Sequence, residues 1–239
     1  SEPTSQDFDG VKSAFTKVLA TVRAGLEGAT AGSVDHAQAA PLLPANLATR
    51  RTELVSQFGN ELERVDGHYL GVLSPGQACR KIVELTRQME LHSVAVGEGV
   101  ALDLAPVVNA LGRAGIESIR CRKTNDDERR ALRERLANCD VAIVEAHYAI
   151  AATGTLVVVA TPERPASLTL LPPTNILLVE ADRVLPDMAA VISALGPNVI
   201  RQHRVAFITG PSRTADIEKM IVLGVHGPKH LYAAVVWPG

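Results

Sequence analysis

Residues 141–160 read VAIVEAHYAI AATGTLVVVA, two apolar runs, Val141 to Ala146 and Thr155 to Ala160, separated by a short connection. The first run shows no polar alternation until Glu145, the pattern of a strand covered on both faces. The second begins after so short a connection that it is expected to run antiparallel to its predecessor. Helical and strand patterns alternate on both sides of this stretch. Upstream, Asn46 to Arg64 is periodic at helical spacing and His68 to Leu73 is a short strand. Ser74-Pro75-Gly76-Gln77 reads as a capping box with proline at the first helical position, opening a helix to about Met89. Ser93 to Val96 and Ile116 to Cys121 are strands, separated by a helix over Leu104 to Ala114. A charged helix from Asp126 to about Asn138 leads into Val141. Downstream, Ile176 to Val179, Val205 to Thr209 and Leu231 to Val236 are strands, with helices over Pro186 to Leu195 and Thr214 to Leu223. The alternation predicts an α/β fold: one open, largely parallel sheet with helices on both faces.

Residues 1–45 break this rhythm. Val11, Phe15, Val18, Leu19 and Val22 lie at helical spacing, and Glu27 to Pro44 is a linker rich in small residues. The expected organisation is therefore an N-terminal helical arm over 1–45 and an α/β domain over 46–239.

Composition narrows the function classes. A net charge of -2 gives no electrostatic case for nucleic acid or an anionic membrane surface. Aromatic content of 3% leaves little with which to stack bases. Cys79, Cys121 and Cys139 form no Cys-x-x-Cys pair, so neither a zinc ribbon nor an iron–sulfur cluster is expected on this chain. With no signal peptide and no bilayer-length apolar run, the expected location is the cytoplasm.

Ligands in open α/β sheets bind beyond the carboxyl ends of strands, which directs attention to the loops there. Thr209-Gly210-Pro211-Ser212-Arg213-Thr214 offers a glycine, hydroxyls and an arginine before the helix expected at Thr214, a combination suited to an anion. The alternative is a helix cap by Ser212 or Thr214, with Arg213 on the surface. Glu145 ends an apolar strand, where a carboxylate is either a catalytic group in a crevice or half of an ion pair. His147 could orient it. Thr153-Gly154-Thr155 reads either as a binding turn or as a tight connection between strands. His226 and His230 stand four apart, but Gly227-Pro228 breaks any helix between them, so no metal site is expected. Gly97-Glu98-Gly99 lacks the third glycine of a dinucleotide loop, and Glu98 would repel a pyrophosphate.

Taken together, Ala151-Ala152-Thr153-Gly154-Thr155, Leu170-Leu171-Pro172-Pro173, Thr209 to Glu218 (TGPSRTADIE) and Gly224-Val225-His226-Gly227-Pro228 occur in an order that resembles the LUD-domain family, and within it the LutC (YkgG-type) lactate-utilisation group. The likeness runs from about Asn46 onward. It implies a fold similar to the NagB/RpiA/CoA transferase-like proteins and a role without cofactors of its own. That role is as a non-redox subunit or accessory factor in oxidation of L-lactate to pyruvate, beside LutA-like and LutB-like partners that carry the iron–sulfur centres. Pocket residues implied by the resemblance are Thr153, Gly154, Thr155, Gly210, Ser212, Arg213, Thr214, Asp216, Gly224, His226 and Gly227. Ala152 stands where the family usually has Glu, and Asn175 near a place where His is common. Glu145 and His226 are left as the candidate proton-transfer groups. Two other functions fit the same residues. One is a self-sufficient enzyme taking a CoA thioester, sugar phosphate or folate-like acid, with Glu145 as nucleophile or base. The other is an interaction module with a vestigial pocket.

Overall fold

A computed structural model describes residues 47–121, 126–215, 221–223 and 227–237; the expected N-terminal arm lies outside them. The first half of the described chain alternates regularly: α1 (Leu47–Arg64), β1 (His68–Leu73), α2 (Pro75–Gln88), β2 (Ser93–Val96), α3 (Ala105–Arg113), β3 (Glu117–Arg120), α4 (Asp126–Ala137) and β4 (Val141–Glu145). Shorter elements follow: β5 (Tyr148–Ile150), β6 (Thr155–Val159), α5 (Ser167–Leu170), β7 (Thr174–Glu180), β8 (Val184–Leu185), α6 (Met188–Gln202), β9 (Val205–Ile208), β10 (Arg213–Ala215), β11 (Ile221–Leu223) and β12 (His230–Val236).

Six strands make the main sheet in the order β1-β12-β7-β4-β2-β3, and every adjacent pair is parallel. Because successive strand residues point to opposite faces, one sequence run feeds two cores. Ala142, Val144, Leu177, Val179, Ala233 and Val235 pack with Phe58 and Leu62 of α1 and Leu136 of α4. Val141, Ile143, Ile176, Leu178, Ala234 and Val236 pack on the other side with Ile82 of α2 and Leu111 of α3. The α/β sheet with helices on both faces is thus the one the sequence predicts. At Ser74 the capping box is complete: its side chain accepts from the Gln77 amide while Gln77 returns to the Ser74 amide.

Two features differ from expectation. The Thr155 run is antiparallel, but to the short β5, and it belongs to a separate four-stranded sheet ordered β8-β5-β6-β9. Ile150, Val157 and Val159 on one face of this sheet pack with Val191 and Leu195 of α6, while Ala149, Leu156 and Val158 face the α1 side of the main core. The helix expected from Thr214 to Leu223 is replaced by an antiparallel pairing of β10 with β11, Arg213 opposite Leu223 and Ala215 opposite Ile221. Arg213 is therefore extended backbone, and the helix N-terminus invoked for anion binding does not begin at Thr214.

Candidate functional site

The chain leaves β2 for β3 in one direction along the main sheet and leaves β4 for β7 in the other. The carboxyl ends of β2 and β4 therefore flank the topological switch point, where open α/β sheets form their crevice. The loop after β2 lines a cavity of about 580 Å³ together with Arg120, Cys121 and Glu163. Gly99 makes its tight turn possible, since a Cβ there would lie 2.0 Å from the Leu102 carbonyl oxygen.

Glu145 arrives at this loop from the end of β4, fully buried. Its Oε2 accepts the amide hydrogens of Val100 (2.5 Å) and Leu102 (2.9 Å), and Oε1 accepts that of Ala101 (2.9 Å). Burial raises its pKa above the ordinary carboxylate value, opposed by these amide bonds and by the charge of Arg183. The carboxylate is thus satisfied by backbone amides rather than by a hydrogen-bonded arginine.

A second buried group fastens the same loop. Arg164 donates from Nη1 to the Glu98 carbonyl (2.7 Å) and from Nε to the Val159 carbonyl (3.3 Å). Its Nη2 lies 3.1 Å from His147 Nε2, while His147 Nδ1 accepts the Val159 amide hydrogen at 3.1 Å. Burial, then the charges of Arg164, Arg183 and His203, push the His147 pKa down to about 3, so the ring is neutral at physiological pH. The His147 ring meets the Val159 amide and Arg164 rather than Glu145, and so braces the Val159 end of β6.

The motif loops meet elsewhere. Thr155 Oγ1, buried at the start of β6, lies 2.7 Å from Thr153 Oγ1 and 2.7 Å from Thr209 Oγ1, joining the Thr-Gly-Thr turn to the end of β9. Both motif glycines have left-handed backbones and press on the end of α1. A Cβ on Gly154 (φ 62) would lie 2.2 Å from the Leu62 nitrogen, and one on Gly210 (φ 81) 2.4 Å from the Val65 oxygen. The Ser212 amide donates to the Pro228 carbonyl (2.8 Å), and a Cβ on Gly227 would lie 3.1 Å from Ser212 Cβ. The Thr209–Arg213 and Gly227–Pro228 loops line a cavity of about 590 Å³ with Arg64, Val65, Thr169, Leu170 and Phe207, and the Thr-Gly-Thr turn supports it from behind through Thr209. Arg213 on its wall pairs with Asp66. Behind it, buried Asn175 donates from Nδ2 to the Thr169 carbonyl (2.8 Å), and its Oδ1 has no hydrogen-bond partner among the described residues.

Of the residues singled out from sequence, Thr153, Gly154, Thr155, Gly210, Ser212, Arg213 and Gly227 are brought together. Glu145 is not with them: it is buried beneath the loop after β2, lines neither cavity, and the cavity over that loop shares no lining residue with the one at the end of β9. The side chain of Thr214, and Asp216, Gly224 and His226 entirely, lie outside the described residues. Sequence reading missed Arg64 and Asp66, which come from the end of α1, before any motif. It also missed Arg164, whose only local signal was an arginine between two prolines.

The LUD domain model matches residues 55–236. The chain belongs to the LUD domain family. An uncharacterised protein of Neisseria meningitidis serogroup B is 27% identical over 198 residues, covering 78% of this chain and 82% of that protein. Lactate utilization protein C of Halalkalibacterium halodurans is 34% identical over 99 residues, or 40% of this chain and 43% of that protein. The protein YkgG of Escherichia coli K12 is 36% identical over 92 residues, 37% of this chain and 40% of that one. The matches to the lactate-utilisation relatives thus span less than half of their length. A crystal structure of a DUF162 family protein from Deinococcus radiodurans superposes with a TM-score of 0.59 at 21% identity, covering 82% of this chain and 99% of that one, and shares the fold. Among the described residues no helix is long and apolar enough to cross a membrane.

Proposed function

We propose that this LUD protein is a LutC-like, non-redox component of a cytoplasmic system oxidising L-lactate to pyruvate, working beside iron–sulfur partners of the LutA-like and LutB-like kind. Its cavity between Thr209–Arg213 and Gly227–Pro228 holds a small hydroxycarboxylate. The observation that carries this reading is the make-up of that one wall. Arg213 and Arg64 supply two guanidinium groups, Thr209 and Ser212 supply hydroxyls, and Leu170, Val65 and Phe207 supply an apolar side. A carboxylate matches the first, a hydroxyl the second and a methyl the third. The name of the relatives, lactate utilization protein C, supports lactate as the ligand to try first. In the same reading Glu145 is a clamp that shapes the loop after β2 and takes no part in proton transfer.

Two measurements test the proposal. Titration calorimetry with L-lactate should show binding that Arg213→Ala weakens by about 1.5–3 kcal/mol, the size of a charge-assisted contact. Reconstitution with iron–sulfur partners from the same genome should give lactate-dependent dye reduction that falls when this chain is left out. Unchanged rate and assembly without it would remove the proposed role.

A further inference from the structure

We infer that Asp66 determines the charge selectivity of the Thr209–Arg213 cavity, occupying Arg213 while no ligand is bound and favouring singly charged carboxylates over dianions. This rests on the reading of that cavity as a carboxylate site.

Both cations on the cavity wall are already matched by acids from the end of α1. Arg64 Nη1 lies 2.9 Å from Glu61 Oε1, and Arg213 pairs with Asp66. The four charges sum to zero, so the empty site is not a strongly positive funnel. The Arg213–Asp66 pair stands largely in water, with side chains 43% and 70% exposed. Exposed ion pairs contribute little, so a carboxylate that also meets the hydroxyls of Thr209 and Ser212 can take the place of Asp66 at the guanidinium.

Asp66 is nevertheless held beside the site. Its backbone is left-handed (φ 60), in the turn that closes α1, where its amide donates to the Glu63 carbonyl and the Gly67 amide to the Leu62 carbonyl. Val65, one residue earlier, is packed against Gly210, where a side chain would collide with its carbonyl. The displaced carboxylate therefore stays near the ligand. A monoanion replaces it charge for charge. A dianion brings a second negative charge beside the displaced Asp66 carboxylate. Because repulsion from one fixed charge scales with the charge of the ligand, removing it helps a dianion twice as much on a logarithmic scale.

The test is Asp66→Asn. Asparagine tolerates the left-handed conformation, so the turn should survive, and an unchanged melting midpoint checks that it has. Dissociation constants for L-lactate and for inorganic phosphate at pH 8, where phosphate is mostly a dianion, are measured by calorimetry at low ionic strength. Wild-type protein should prefer lactate. Asp66→Asn should tighten both ligands, phosphate about threefold more than lactate, with both gains shrinking in high salt. Tighter binding of phosphate than of lactate by the wild type would overturn the inference. So would equal gains, or none, in a variant of a protein whose lactate binding still depends on Arg213, and in that case the carboxylate site itself would stand. Absence of binding of either ligand to wild type and variant would remove the carboxylate reading and this inference with it.

Discussion

The crevice at the end of β4 and the cavity at the end of β9 use polar groups in opposite ways. At the first, Glu145 and Arg164 are buried and bonded to backbone: three amide donors on the carboxylate, two carbonyl acceptors on the guanidinium. At the second, Arg64 and Arg213 are exposed and held by acids that water already screens. A buried charge is costly unless its bonds are complete, and once complete it has little left to offer a ligand. An exposed, weakly paired charge is cheap to keep and easy to recruit. The shifted pKa values of Glu145, His147 and Arg164 belong to the first region, and the groups proposed to meet a ligand to the second.

Mutations that empty or retain each group can break this contrast. Glu145→Ala should have the largest effect, about 3–5 kcal/mol of lost stability in denaturant melts, because a loop folded around the carboxylate loses its acceptor. A loss below about 1 kcal/mol would mean the loop does not depend on the clamp. Gly154→Ala should cost about 2–3 kcal/mol, since both the left-handed backbone and the Leu62 nitrogen oppose a Cβ. If it is tolerated, the motif turn is not seated on α1.

Acid titration probes the buried region further. The His147 pKa falls from 6.5 to about 3 on folding, so between those values the unfolded chain binds a proton that the folded chain does not. Stability should therefore decline as pH drops through this window, by up to about 1.4 kcal/mol per pH unit from this residue. Glu145 acts in the opposite sense. Its raised pKa favours the folded state below its ordinary value near 4.5, and that contribution is lost as pH rises through the folded value. His147→Gln should remove the first trend and leave the second, which melting midpoints across the pH range will show. Thr155→Val, which cuts the hydroxyl chain from Thr153 to Thr209, should cost about 1–2 kcal/mol. Arg213→Ala should change stability least, by under about 0.5 kcal/mol, while acting on ligand binding.

Much of the architecture was legible in the sequence because it is local. The Val141–Glu145 run, the Ser74 capping box and the helical spacing of α1 are decided by near neighbours, and each appears where expected. What was not legible depends on distant partners. An apolar run such as Thr155–Val159 suits either sheet, and only its pairing with β5 and β9 decides which. The Thr214–Leu223 stretch suits a helix by its opening, yet β10 pairs with β11. At the site, the hydroxyls and glycines of the motif loops were readable from the chain. The need of Glu145 for a partner was readable too, but not that amides some 45 residues earlier would meet it. Asp66 gave no signal at all, since a polar residue after a helix is ordinary.

Backbone amide resonances recorded during an L-lactate titration separate the two regions most directly. Saturable shifts at Thr209, Gly210, Ser212, Arg213 and Gly227, with Val100, Ala101 and Leu102 unmoved, are the expected result. Shifts centred on Val100–Leu102 instead would show that the crevice beside Glu145 is the binding site and would contradict a ligand site at the end of β9.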